Sequence, residues 1–301
     1  MFSLQFLSLL SVASALIAAP PESLDKRANN FKYLVSFGDS YSQTGFLITG
    51  AKPSTSNPIG NPGFPGYTTT NGNNWLTYLL HPSSSSTLLS YNFAYGGATT
   101  DASLVKPYTS TVLSLVDQVT LFESHVAPLP STANSPSLTS SNTLFAIWIG
   151  VNDVGNAWGS SNWSTLSKQI INQYIAQAQK LYNSGARNFL FLTVPPIQKT
   201  PLVLAEPASV QSQEGAAVAT YNELLKAGVS SFKAKNGGIK TWVYDTTTVF
   251  DEAISNPTKY GAKDATCYNA DGTTCLWWNN YHPGQAIHKL VSAGVASLVG
   301  I

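Results

Sequence analysis

Charge is what this sequence has least of. Only 10% of its 301 residues are Asp, Glu, Lys or Arg, and 16 basic against 15 acidic side chains leave a formal net charge of +1. Binding to nucleic acid or to an anionic membrane surface needs a basic patch, so neither is an expected partner. Past the N-terminal segment no stretch approaches the ~20 consecutive apolar residues of a spanning helix, and no membrane anchor is expected. Cysteine is nearly absent as well: Cys267 and Cys275 are the only two. In an oxidising compartment such a near pair is expected to form a disulfide that restrains the segment ahead of the C-terminal motif. No His or Cys stands at zinc-ligand spacing from them, so no metal is expected, and no cofactor motif is present. A low-complexity linker is missing too, so residues 28–301 are expected to form one domain large enough for a sizeable core.

What is present begins with MFSLQFLSLLSVASALIAAP, an apolar run ending in small residues. It has the form of a secretory signal over residues 1–19, although no positive charge precedes it. Lys26-Arg27 resembles the dibasic site of kexin-type processing proteases, so 20–27 reads as a short propeptide and Ala28 as the mature start. A secreted, extracellular, monomeric protein is expected. Asn162-Trp-Ser164 is the single acceptable glycosylation sequon.

Apolar runs alternate with helical patterns along the chain. Strands are expected at 33–37, 91–95, 144–149, 189–194 and 241–244, and helices at 74–80, 111–125, 166–183, 211–232 and 284–298. Strand, helix, strand in this order predicts an α/β fold with a parallel sheet covered on both faces. The 49–70 loop, rich in Gly, Pro, Asn and Ser and carrying Phe64 and Tyr67, is too long for a plain connection; a binding loop and a disordered insertion both fit it. The 127–142 segment reads as a surface loop.

The chemistry-bearing residues fall at predicted strand ends. FGDSYSQTG (37–45) leads the first strand into a turn with Ser40 at its mouth, where free N–H groups of a following helix would favour developing negative charge. Taken alone, Gly-Asp-Ser is also an ordinary turn and cap. The YNFAYGGAT block (91–99) ends in Gly96-Gly97, where backbone N–H groups can approach a ligand with no side chain in the way. LFAIWIGVND (144–153) brings Asn152, an amide donor, and CLWWNNYHP (275–283) brings His282 ahead of the last helix. A nucleophile, a base and oxyanion donors are what ester hydrolysis by serine requires.

These four blocks, in this order, resemble those of the SGNH hydrolases, also called GDSL lipases or esterases, over nearly the whole chain from about residue 33. Within that family the chain is most similar to secreted fungal acetylesterases of carbohydrate esterase family 16. The resemblance implies a three-layer α/β/α sandwich of flavodoxin-like type. It implies Ser40 as nucleophile and, through its own N–H, as oxyanion donor; Gly97 as second donor, or Gly96 if the register is off by one; Asn152 as third; and His282 as base. His81, His125 and His288 read as structural. The chain departs from the pattern three residues before His282, where Asn279 stands in place of the usual aspartate. Asparagine can hold the imidazole tautomer but brings no charge. Three arrangements follow: a Ser-His pair oriented by a neutral group, a replacement acid from Asp264 or Asp271, or a site that has lost activity.

Aromatic residues surround the blocks, and flat aromatic faces suit pyranose rings. Tyr41, Trp278 and Tyr281 are the expected substrate contacts, whereas Trp148 reads as core. No long apolar cap is evident. The expected substrate is a small acylated molecule, an acetylated oligosaccharide derived from hemicellulose. A lipase or phospholipase on longer esters and a catalytically weak sugar-binding relative are the alternatives.

Overall fold

The five apolar runs form the five strands of one sheet in a computed structural model that describes residues 29–80, 88–135 and 137–301. The expected signal segment, the 20–27 segment, Ala28 and His81 lie outside the described residues. The strands are β1 (Tyr33–Gly38), β2 (Leu89–Asn92), β3 (Thr143–Trp148), β4 (Asn188–Leu192) and β5 (Lys240–Tyr244), all parallel and ordered β2-β1-β3-β4-β5. Every residue of β1 to β4 is buried, and β1, β3 and β4 accordingly read as largely apolar runs; β5, at an edge, is only half-covered.

Helices lie on both faces. On one side α4 (Trp163–Asn183) packs against α2 (Leu115–His125) and α6 (Ala208–Lys235); elsewhere α8 (Gln285–Val299) packs on α1 (Trp75–Leu80), α7 (Thr247–Ser255) and β5. The order 2-1-3-4-5 is the doubly wound, flavodoxin-like arrangement, a three-layer α/β/α sandwich. Its connections reverse direction between β1 and β3, and a crevice opens at the carboxyl ends of strands at such a point.

Several boundaries differ from the sequence expectation for local reasons. Helix α2 begins at Leu115 instead of 111 because Ser114 and Asp117 form a reciprocal capping box. Strand β2 starts and stops earlier than 91–95, yet the chain continues along β1 through Phe93 N–H to Ser36 O and Tyr95 N–H to Gly38 O, at 2.8 and 3.1 Å. Three short helices escaped the periodicity: α3 (Val151–Ala157), α5 (Pro201–Leu204) and α7. The 49–70 loop is held by side-chain bonds, with Asn61 joined to Leu47 and Ala51 and Gln43 to the Tyr67 carbonyl. No helix among the described residues is long and apolar enough to cross a membrane.

Candidate active site

Three neighbouring strand ends bring the site together. In register, Ser36 pairs with Asn92 on β2 and Gly38 with Trp148 on β3, so β1 lies in the middle. The turn carrying Ser40 is therefore flanked by the Gly96-Gly97 loop on one side and the start of α3 on the other. The turn after β1 is not a helix, contrary to the sequence expectation; the next helix begins only at Trp75. It is closed by Ser42 N–H and Gln43 N–H on the Asp39 carbonyl and by Tyr41 N–H on Asp39 Oδ1. With those three amides engaged, Ser40 N–H is left with no acceptor among the described residues, and the same is true of Gly97 N–H.

Side chains to which the sequence reading gave no role fix this turn. Gln118 of α2 forms a reciprocal pair with the Gly38 backbone, accepting its N–H at 2.9 Å and donating to its carbonyl at 2.8 Å. Asn92 donates to the Ser42 carbonyl and Thr44 Oγ1, Asn74 to the Ser42 and Gln43 carbonyls, and Trp75 Nε1 to Ser42 Oγ. All four residues are buried. The one legible trace was Gln118, a polar residue on the apolar stripe of Leu115, Val119 and Phe122.

Gly97 adopts φ +79°, a backbone conformation strained for any side chain, which favours glycine here. Gly150 caps α3 at φ +125°, where a Cβ would meet the Tyr221 ring at 2.5 Å. The sharp turn it permits brings Asn152 to the crevice, where Nδ2 donates to the Ala98 carbonyl at 2.8 Å, leaving one amide hydrogen beside Gly97. Asp153, the next residue, is buried. Both its oxygens accept Thr100 N–H at 3.0 Å, tying α3 to the glycine loop. Burial lifts the Asp153 carboxyl to about 7 against the pull of these bonds. Burial likewise lifts Asp39 to about 7; its bond from Tyr41 N–H opposes this and the Asp153 charge adds to it.

His282 arrives from the opposite wall. Cys267 and Cys275 are joined by a disulfide, with Cα atoms 5.4 Å apart, and the segment that follows is tied by Trp278 N–H to the His282 carbonyl and Gly284 N–H to the Leu276 carbonyl. His282 Nε2 lies 2.9 Å from Ser40 Oγ, and Nδ1 lies 3.1 Å from Asn279 Oδ1. The same Oδ1 accepts Tyr281 N–H at 2.9 Å and His282 N–H at 2.7 Å. Two backbone donors demand an oxygen there, which fixes the amide orientation. Nδ1 must then carry the ring proton, leaving Nε2 free to accept from Ser40. Burial, with no carboxylate to offset it, pulls the imidazole down to about 4.

Neither aspartate of the cysteine loop approaches His282. Asp264 accepts from Thr266 and Cys267 N–H, and Asp271 from Thr273 and Thr274 N–H; these bonds hold both carboxyls low, Asp271 at about 2. Tyr41, expected to face substrate, is instead fully buried: its hydroxyl donates to the Tyr281 carbonyl at 2.6 Å and its ring packs on Trp148, His282 and His288. The turn closed on Asp39 therefore holds Ser40 toward His282 and Tyr41 in the core beneath the site. Trp278 and Tyr281 are half-buried, each edge-on to the His282 ring. His288 is buried, His125 caps its own helix turn at the Leu121 carbonyl, and Asn162 is exposed at the start of α4.

Two cavities flank the site. One of about 500 Å³, walled by Phe46, Leu47, Ile48 and Phe93, opens beside Gly96, with Tyr67 and Tyr108 at its rim. The other, about 530 Å³, is an open cleft beside Asn152 and Tyr281 lined by α3, α5 and α6.

The sequence pattern of the GDSL-like lipase/acylhydrolase family matches residues 34–295. The chain is 52% identical over 291 residues to an acetylesterase of Thermothelomyces thermophilus, covering 96% of this chain and 94% of that one. It is 25% identical over 322 residues to an acetylesterase of Hypocrea jecorina, covering 91% and 90%. The crystal structure of an acetylxylan esterase from Geobacillus stearothermophilus superposes with a TM-score of 0.55 at 14% identity, covering 91% of this chain and 97% of that one; this likeness speaks to the fold alone.

Proposed function

The chain belongs to the GDSL-like lipase/acylhydrolase family and is a carboxylic ester hydrolase, and from that premise we propose that it is a secreted acetylesterase acting through Ser40 and His282. The observation that carries the mechanism is the 2.9 Å contact between His282 Nε2 and Ser40 Oγ, with the ring tautomer fixed from behind by Asn279. As Ser40 Oγ attacks the ester carbonyl carbon, its proton passes to Nε2 and the carbonyl π electrons move onto oxygen. The resulting oxyanion takes hydrogen bonds from Ser40 N–H, Gly97 N–H and Asn152 Nδ2, donors already oriented and therefore costing no reorganisation. Collapse of the tetrahedral adduct breaks the C–O bond, and the alcohol leaves with the proton from Nε2. Water, deprotonated by the same nitrogen, then releases acetate from Ser40.

Asn279 orients the imidazole without charging it. The imidazolium formed in each step receives no carboxylate stabilisation, while the low pKa keeps the base neutral far into acid. The 52% identity to a protein named acetylesterase supports acetyl as the acyl group, and an acetylated oligosaccharide from hemicellulose as substrate extends that reading.

One observation favours a second reading. The apolar cavity beside Gly96 has room for an acyl chain longer than acetyl, as a lipase would need. Hydrolysis of the 4-nitrophenyl esters of acetate, butyrate and palmitate, with Ser40→Ala as control, separates the two. Serine-dependent turnover falling with chain length supports the acetylesterase, and turnover rising with it supports the lipase. Absence of serine-dependent turnover on all three would sink both and leave a sugar-binding relative.

A further inference from the structure

Glu214 on α6 is 3% exposed and lines the 530 Å³ cavity beside Asn152. Its carboxyl has no hydrogen bond or ion pair with any described residue; the three ion pairs present there lie elsewhere. Its oxygens are not among the fully buried atoms that lack a partner, so they face the cavity and are open to a ligand's hydroxyl groups. Burial raises the group to about 7, so near neutrality it is available both to accept and to donate. The cavity around it is mixed in a particular way. Trp158 and Tyr281 supply aromatic walls, and Asn152 and Asn156 supply amides that donate and accept. Its volume is in the roughly 300–1,000 Å³ range of small-molecule sites. A pyranose presents C–H faces that stack on aromatic rings and adjacent hydroxyls that need hydrogen-bonding partners. The apolar cavity on the Gly96 side offers no carboxyl of this kind. Asn152 belongs both to the oxyanion donors and to this wall, so a ring seated here adjoins the reacting ester.

We propose that this cavity is the subsite for the alcohol half of the ester, a pyranose ring of an acetylated oligosaccharide, and that Glu214 binds its hydroxyl groups. This rests on the esterase reading above and adds to it the residue that selects a sugar over a plain alcohol.

The test compares wild type, Glu214→Gln and Glu214→Ala on two substrates, 4-nitrophenyl acetate and acetylated xylobiose, with unacetylated xylobiose as competitive inhibitor of the aryl ester reaction. Loss of hydrogen bonds from this carboxylate to the sugar predicts a KM for acetylated xylobiose raised about 10-fold or more in both variants, with kcat within about 3-fold. The aryl acetate reaction should stay within about 3-fold, and xylobiose should inhibit the wild type but not the variants. Equal losses on both substrates would reduce Glu214 to a structural residue and overturn the proposal. So would improved butyrate hydrolysis in Glu214→Gln, which would mark an acyl pocket. If Glu214→Ala does not fold, xylobiose inhibition of wild type and Glu214→Gln still decides: no inhibition of the wild type, or equal inhibition of the two, overturns it. Failure of the esterase reading looks different, because the wild type would then show no Ser40-dependent hydrolysis of the aryl ester.

Discussion

Replacing Asn279 by aspartate changes one atom pair in the site and reverses the electrostatics of the base. Oδ1 of Asn279 already accepts three N–H groups, from Tyr281 N, His282 N and His282 Nδ1. A carboxylate can make the same three bonds, so Asn279→Asp preserves the geometry and adds a negative charge about 3 Å from the ring. The imidazole now stands at about 4 because burial disfavours its charged form. An adjacent opposite charge raises such a pKa by roughly 1–3 units, each unit being about 1.4 kcal/mol of differential stabilisation. His282 must be neutral to take the Ser40 proton, so activity is lost as pH falls through its pKa. The acid limb of kcat/KM is therefore expected near pH 4 in the wild type and about 1–3 units higher in Asn279→Asp. On the alkaline plateau the sign is opposite. The carboxylate stabilises the imidazolium of the transition state, and kcat should rise about 10-fold for a one-unit shift carried fully into the barrier. The assay is kcat/KM for 4-nitrophenyl acetate between pH 3 and 9, with buffer hydrolysis subtracted. An acid limb that stays in place or moves down would refute the reasoning about what Asn279 does.

Other consequences can be checked separately. Asn152→Ala removes one oxyanion donor and should lower kcat by about 10²–10³ with little change in KM; a loss confined to KM would argue against that role. Gln118→Ala leaves the Gly38 N–H unpaired in the core and its carbonyl with Tyr95 N–H alone, and with buried hydrogen bonds worth about 1–3 kcal/mol to lose, both thermal stability and kcat should fall; a fully active, equally stable variant would contradict the anchoring described for the turn. Reducing the Cys267–Cys275 disulfide, which closes a loop of sequence separation 8, should cost about 2–3 kcal/mol of stability, read as a lower Tm that returns on reoxidation; an unchanged Tm would show that the loop is held by its hydrogen bonds alone. Asn162 is exposed, so protein secreted from a eukaryotic host should lose mass at this residue on enzymatic deglycosylation, and an unmodified Asn162 peptide would exclude a glycan there.

The strand segments and their parallel direction were legible because most buried parallel strands are continuous apolar runs, and the residues at their ends stand in recognisable blocks. Ser40, Gly97 and Asn152 each follow a strand, His282 stands ahead of the last helix, and the structure gathers them in one crevice. What was not legible depends on packing across the chain. Helix α3 is seven residues long and holds Gly155 and two asparagines, too short and too polar for a helical period to emerge. Tyr41 looks like a surface aromatic beside Ser40, and only the turn closed on Asp39 and the packing across the chain place its ring under the base. Glu214 is one of two acids in a 28-residue helix of low amphipathic contrast, and nothing near it in sequence says that Tyr281, 67 positions later, lines the same cavity. The neutral partner of His282 was visible as Asn279, but its three accepted bonds depend on the fold of the segment around it.

The central claim is that Ser40 carries the acyl group, and a phosphonofluoridate that traps activated serines tests it most directly. Titrated against the wild type and followed by mass spectrometry of the digested protein, it should add one equivalent to the peptide containing Ser40, in proportion to the activity lost. Prior Asn279→Asp substitution should speed that labelling, and Ser40→Ala should abolish it. Loss of activity with the label on another residue, or full activity with Ser40 stoichiometrically modified, would contradict the account.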